Sequence, residues 1–227
     1  MRGVRLGGGD RLAADVVVAN VDAEHLYRDL LPDGRALASA RRAEPSTSGF
    51  VVLAAVEGAT AGISHHNVWF SSDERAEFAD LFEDRRVPAD PTIYACVSSA
   101  TDPTQAPDGA ENWFLMVNAP AGWDGDPTAH RDVVLASLAA RGVDLRPRLR
   151  FTEVITPGDL AARYRSPGGA IYGTSSNGRR AAFLRPANRG PRRGLYLVGG
   201  SSHPGGGLPL VATSARIVAA MIEGDGW

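Results

Sequence analysis

The sequence predicts an α/β (α+β) fold in which a mixed-sheet domain is flanked by two pieces of α/β character. Three observations carry that prediction. A short apolar run, Val16-Val17-Val18, passes through Asn20 to Asp22, a residue suited to cap a helix. Between Phe50 and Ile155, apolar runs of strand length recur with few helical patterns between them. Near the end, Leu195-Tyr196-Leu197-Val198 leads through a glycine-rich turn into a long segment of helical apolar spacing.

The elements follow in order. Arg2 to Leu12 alternates loosely about Gly7-Gly8-Gly9-Asp10 and reads as a hairpin. Ala13 to Ala19 reads as a short buried strand. Asp22 then caps a helix running to Leu31, with Leu26, Leu30 and Leu31 turned inward and Pro32 as the stop. Residues 33 to 48 are polar and turn-forming. Phe50–Val56 predicts a central strand, and His65 to Phe70 a second one. Successive strand residues alternate between faces, so His65 and His66 are expected to point apart, and no metal site is expected. Ser72-Asp73 caps a helix to about Glu83. Thr92 to Ser99 and Asn112 to Asn118 are two further strands. Asp126-Pro127 opens a helix that ends at Arg141, with Gly142 as its stop. Leu149 to Ile155 is another strand, and Thr156-Pro157 opens a short helix. Cys96 lies in an apolar run and reads as a packed core cysteine.

Composition narrows the function classes. The 227 residues are 44% hydrophobic and 22% charged, as in a water-soluble globular chain with a sizeable core. A net charge of −2 offers no basic excess to neutralise phosphates, so nucleic acid is not an expected partner. All 24 basic residues are arginine, which together with abundant Ala and Gly reads as a GC-rich coding sequence. One cysteine excludes an internal disulfide and a cysteine-based metal cage. No apolar run has the length of a membrane span, so the expected location is the cytoplasm, at most peripheral on a membrane.

The stretch from Gly194 to Ile222 organises the rest. Five of the nine residues from Gly199 to Gly207 are glycine, and His203-Pro204 stiffens the run. Leu208, Val211, Ala215, Val218 and Ile222 then make a helical stripe. Pro209 sits in the first turn, and Gly224 just past the end. A strand, a glycine turn and a helix N-terminus form an anion-binding device, because the backbone can be approached closely and the first helical amides point at the ligand. A sharp turn that binds nothing is the alternative. Gly199-Gly200-Ser201-Ser202-His203 does not make a nucleophile elbow, since His203 stands where that motif needs glycine after Ser201.

Taken together these segments resemble the bacterial carotenoid (phytoene) desaturase family. The resemblance runs through Val17-Val18-Ala19-Asn20 with Asp22, His65-His66-Asn67 to Phe70, Pro91-Thr92-Ile93-Tyr94 and Asp102-Pro103 with Pro107 and Gly109. It continues through Val117-Asn118-Ala119-Pro120, Ser166 to Gly173, Leu184-Arg185-Pro186 and the C-terminal stretch. It implies an FAD-dependent oxidoreductase of amine-oxidase-like fold that passes hydride from a long polyisoprenoid to flavin. An apolar tunnel would be built by the sheet domain. The implied cofactor residues are Gly199, Gly200 and Ser201 along the ribityl and pyrophosphate, with the backbone of Gly206, Gly207 and Leu208 at the pyrimidine edge. Asn20 would lie close by. The resemblance settles no catalytic base. The family's opening strand, G-x-G-x-x-G and helix are not in this sequence. The chain is therefore expected to be a C-terminal portion. It would comprise a partial FAD-binding domain over 1–32, a substrate domain over 33–165 and an FAD-binding segment over 166–227. An N-terminal half would come from the same gene or from a partner chain. A non-catalytic remnant or interaction module of the same fold, and a related isomerase or saturase, are the competing expectations.

Overall fold

A computed structural model describes residues 1–175 and 185–227. The chain divides into two compact units, Thr47–Leu160 and the remainder, Met1–Ser46 with Ala161–Trp227.

The unit Thr47–Leu160 is built on an antiparallel five-stranded sheet. Its strands are β4 (Ser48–Glu57), β5 (His66–Trp69), β6 (Ile93–Cys96), β7 (Ala110–Ala119) and β8 (Leu149–Ile155), in the order β5-β6-β7-β4-β8. The preceding strands, β1 to β3, belong to the other unit. The long β4–β7 pairing places Phe50 opposite Val117 and Val52 opposite Leu115. Alternation sends Phe50, Val52, Ala54, Val56, Trp113, Leu115 and Val117 to one face, where all are buried. Helix α4 (Pro127–Ala140) covers that face with Val134, Leu135 and Leu138. Each large side chain fully buried in this way contributes roughly 1.5–3 kcal/mol. Asp126 caps α4 by accepting from the amides of Thr128 and Ala129, and Pro127 occupies the first turn. Asp73 caps α3 (Glu74–Phe82) in the same manner through Ala76.

In the other unit, β1 (Val4–Arg5) and β2 (Arg11–Leu12) form the expected hairpin. Strand β3 (Val17–Ala19) pairs in parallel with β9 (Leu195–Leu197), Val18 lying opposite Tyr196. Asp22 caps α1 (Ala23–His25), which widens into a π-turn over Leu26–Leu30. Helix α2 (Gly34–Ala40) follows, then α5 (Pro157–Tyr164) beginning in the sheet unit, and finally α6 (Leu208–Gly224). The His203–Pro204 peptide is cis.

Several expectations need correction. β3 is not buried: Val18 is 46% exposed, because its strand has one neighbour only among the described residues. Leu30 faces solvent at 58% exposure at the end of the π-turn, whose buried side is carried by Leu26 and Tyr27. The segment read as turn-forming contains α2, capped by the Asp33 carboxylate on the Ala36 amide. On α6, Leu208 and Ala215 are exposed, while Ser214 and Val218 carry the buried face. Gly224 closes that helix rather than following it. His65 precedes the strand, which starts at His66, so face alternation does not separate the two rings; their centroids are 4.4 Å apart. Cys96 pairs with His66 on the face opposite the core and is only partly buried.

Candidate functional site

The glycine turn is held in shape by a buried polar network. The side-chain amide of Asn188 donates to the carbonyls of Leu197 (3.0 Å) and His203 (2.8 Å) and approaches Ser214 Oγ at 3.1 Å. Ser214 sits on the buried face of α6 and donates to the His203 carbonyl at 2.9 Å. The same hydroxyl receives the Gly199 amide at 3.3 Å. Ser202 closes the turn on itself by donating to the Gly199 carbonyl at 3.1 Å. Every polar group in this knot has a partner, as the buried setting requires.

Arg185 braces the turn from outside. Its Nη1 donates to the carbonyls of Tyr172 (3.0 Å) and Gly200 (3.1 Å), and burial pulls its pKa down from the usual arginine value. Gly205 adopts φ 140°, which favours glycine, and a Cβ there would stand 2.9 Å from that guanidinium. The sequence reading assigned no role to Arg185 or Asn188, because their partners are backbone carbonyls that only the tertiary fold supplies. Leu184, quoted with Arg185 in the family resemblance, lies outside the described residues.

Most of the residues expected at the cofactor come together. Asn20, just after β3, abuts Gly199, just after β9. Ser201 Oγ donates to the Val21 carbonyl at 3.3 Å. Gly200 and Gly206 lie back to back, a Cβ on the former standing 3.4 Å from the Cα of the latter. Gly207 is the N-cap of α6 at φ 93°, and no side chain caps that helix end. A Cβ on Gly207 would meet nothing within 4 Å, so its backbone is open to a ligand. The Leu208 side chain is 87% exposed and takes no part in the packed cluster; only its backbone is placed at the site.

Beside Ser201 is a cavity of about 280 Å³ lined by Asp22, Glu24, Arg41, Thr174 and others. Burial raises the Asp22 pKa above the ordinary carboxylate value, against the lowering effect of the Glu24 amide it accepts at 2.8 Å. Thr174 Oγ1 is buried there without a hydrogen-bond partner among the described residues. A second hollow of about 800 Å³ lies along β3, lined by Val4, Leu6, Val17, Val18, Leu26 and Leu30 among others.

In the sheet unit the site is a surface. The face of the sheet turned away from α4 carries Val68, Phe114, Met116, Val51, Leu53 and Phe151, as the pairing registers require. Phe151 is 62% exposed and Val68 48%. A cavity of about 290 Å³ opens on this face between Leu53, Ala55, Cys96, Phe114 and Phe151. This face is therefore apolar, with Phe151 and Val68 open to solvent. No helix among the described residues is long and apolar enough to cross a membrane.

No family model matches the chain. Known proteins do. It is 35% identical over 215 residues to the 1-hydroxycarotenoid 3,4-desaturase of a Flavobacterium species, covering 92% of this chain and 44% of that protein. It is 36% identical over 230 residues to the 4,4'-diaponeurosporene oxygenase of Staphylococcus haemolyticus, with 97% and 46% covered. Among solved structures, an oxidoreductase from Methanosarcina mazei matches with a TM-score of 0.52 at 16% identity, over 94% of this chain and 44% of that one. That structural match concerns fold alone. The chain spans a little under half the length of the relatives it matches. By sequence shared along nearly its whole length, it belongs to the family of carotenoid desaturases and oxygenases.

Proposed function

We propose that the chain is part of an FAD-dependent carotenoid desaturase acting on a long polyisoprenoid. The observation that carries this reading is its kinship, over 92–98% of its length, with relatives named for the desaturation or oxygenation of carotenoids.

The residues fit a flavin. An uncapped helix N-terminus at Gly207 and Leu208 presents amides and the positive end of the helix dipole, which favour an anionic ring edge. Gly199, Gly200 and Ser201 would lie along the ribityl and pyrophosphate, with Gly206 and Asn20 beside them. The Thr174 hydroxyl, without a partner among the described residues, lies in the cavity that Ser201 also lines, where a polar ligand group would find it. Arg185 and Asn188 hold the turn and are positioning residues. Bound flavin would supply the redox chemistry, accepting hydride from a saturated carbon of the substrate. The protein's own task is to hold that carbon in place and exclude water.

A carotenoid chain has no hydrogen-bonding groups along its length, so its recognition rests on buried apolar area. The open sheet face with Leu53, Phe114 and Phe151 suits that requirement. The two-stranded β3–β9 sheet is marginal by itself, and the apolar hollow beside β3 favours completion by further strands of a family-length protein, in the same chain or in trans.

The test is reconstitution. Mixed with an N-terminal half from the Flavobacterium desaturase, the 227-residue chain should retain flavin through gel filtration and convert a carotenoid. A pair that assembles but holds no flavin sinks the reading. Stoichiometric flavin in the chain alone overturns the need for a second half, and polyene binding without flavin favours the interaction-module reading.

A further inference from the structure

His65, His66 and Cys96 gather at the edge of the five-stranded sheet, where β5 pairs with β6. Each offers one ligand atom, and the three atoms lie within 4.8 Å of one another. We infer that these residues form a binding site for a borderline-soft divalent transition metal of the Zn2+ class, with a fourth position left to water.

The backbone fixes the three residues. His66 pairs directly across the ladder with Cys96, and the Val97 amide donates to the His65 carbonyl at 2.7 Å. Neighbouring hydroxyls hold the rings. Thr101 Oγ1 donates to the Ser98 carbonyl at 3.2 Å, so it is an acceptor for the Nδ1–H of His65, 2.5 Å away. That tautomer leaves the Nε2 lone pair of His65 for a metal. The Tyr94 hydroxyl lies 2.9 Å from His66 Nδ1. Accepting from His66 Nδ1–H, Tyr94 would orient that ring and leave its Nε2 lone pair for the metal. Hydroxyls behind ligating imidazoles are the arrangement that metal sites use to set ring orientation.

Two imidazoles and one thiolate select Zn2+ or its Co2+ surrogate over Mg2+ or Ca2+, which want oxygen. Tetrahedral Zn2+ with bonds of about 2.0–2.3 Å places its ligand atoms roughly 3.3–3.8 Å apart. The cluster, within 4.8 Å, needs a contraction of at most about 1.5 Å, which side-chain rotation at a partly exposed edge can supply. A bound ion would clip β5 to β6, and Cys96 also lines the cavity on the apolar face. Occupancy would therefore tighten the margin of that surface.

The metal-free, reduced 227-residue chain is titrated with Co2+. One equivalent is expected to bind with a thiolate-to-cobalt charge-transfer band and tetrahedral visible absorption, both lost on adding Zn2+. Cys96→Ser should abolish the charge-transfer band. His65→Ala and His66→Ala should each weaken binding on the order of tenfold to a hundredfold. A second readout needs no variant: Cys96 is the chain's single thiol, so Zn2+ should slow its alkylation, saturating at one equivalent. A wild-type chain without the charge-transfer band, or whose thiol Zn2+ leaves unprotected, overturns the site. So does protection that persists unchanged when both histidines are replaced in a folded chain.

Discussion

A methyl group on Gly199 would stand 2.3 Å from Oδ1 of Asn20, and Gly199 adopts φ 109°. Two separate constraints therefore fix glycine at this position, one steric and one conformational. Gly199→Ala is expected to destabilise the unit that contains it by about 1–3 kcal/mol from the backbone alone, with the clash in addition. Pairing it with Asn20→Gly removes the clash but not the strained φ, so rescue should be partial. A double-mutant cycle in urea unfolding reads this. Additive effects would mean that the two residues do not meet.

Asn188 supplies side-chain N–H donors to two carbonyls in a buried place. Asn188→Asp keeps the shape and removes the donors, turning a carboxylate toward the Leu197 and His203 carbonyls. Leaving buried polar groups unpaired costs about 1–3 kcal/mol each, more where a charge is involved. The variant should unfold at markedly lower urea and, in the reconstituted enzyme, lose flavin faster than the parent. Unchanged flavin retention in a folded variant would remove Asn188 from the positioning role.

His130 lies under the sheet against Phe50 and Trp123, with ring centroids 4.6 and 5.5 Å away, and its Nε2 has no hydrogen-bond partner among the described residues. Burial lowers its pKa from 6.5 to about 4. The unfolded chain thus binds a proton below pH 6.5 that the folded chain refuses until about pH 4. Stability should fall as pH drops through that window, by at most about 3.4 kcal/mol at 1.36 kcal/mol per unit, and level off below it. His130→Leu should flatten this part of the profile, measured as urea midpoint against pH. An equal slope in the variant would assign the acid sensitivity to other groups.

How much could be read in advance follows from how local each signal is. Asp22, Asp73 and Asp126 cap the helices expected of them, since a cap is satisfied by amides two or three residues away. The β8 boundaries, Leu149 and Ile155, were legible because the run ends in a Thr-Pro helix start. Asp33 caps α2 just as locally, but Gly34 and the short, weakly apolar Arg35–Ala40 hid the helix. Facing is a different matter. Cys96 sits in an apolar run yet turns to the open side of the sheet, and only strand register decides that. His65 and His66 were separated by a rule that holds inside a strand, whereas His65 lies outside it. Asn188 carries no motif at all, and Leu184-Arg185-Pro186, though part of the family resemblance, gives Arg185 no role. Nor does the sequence distinguish a desaturase from an oxygenase, since relatives of both names match the chain equally well.

Phe151 and Leu115 separate binding from stability, because they lie on opposite faces of one sheet. Leu115 is fully buried in the core, and Leu115→Ala should cost about 2–5 kcal/mol. Phe151 stands 62% exposed on the open face, next to Glu153 along β8. Phe151→Ser should move the unfolding free energy by no more than about 0.5 kcal/mol. If this face receives the polyene, the same substitution removes an aromatic ring from the contact area and weakens binding of a carotenoid several-fold. Quenching of tryptophan fluorescence by the polyene measures that loss, and urea unfolding of the same sample supplies the stability control. A Phe151→Ser chain that binds the polyene as tightly as the parent would move the substrate surface elsewhere. A variant that loses binding and stability together would instead make Phe151 part of the fold. Only loss of binding at unchanged stability supports the open face as the place where the substrate lies.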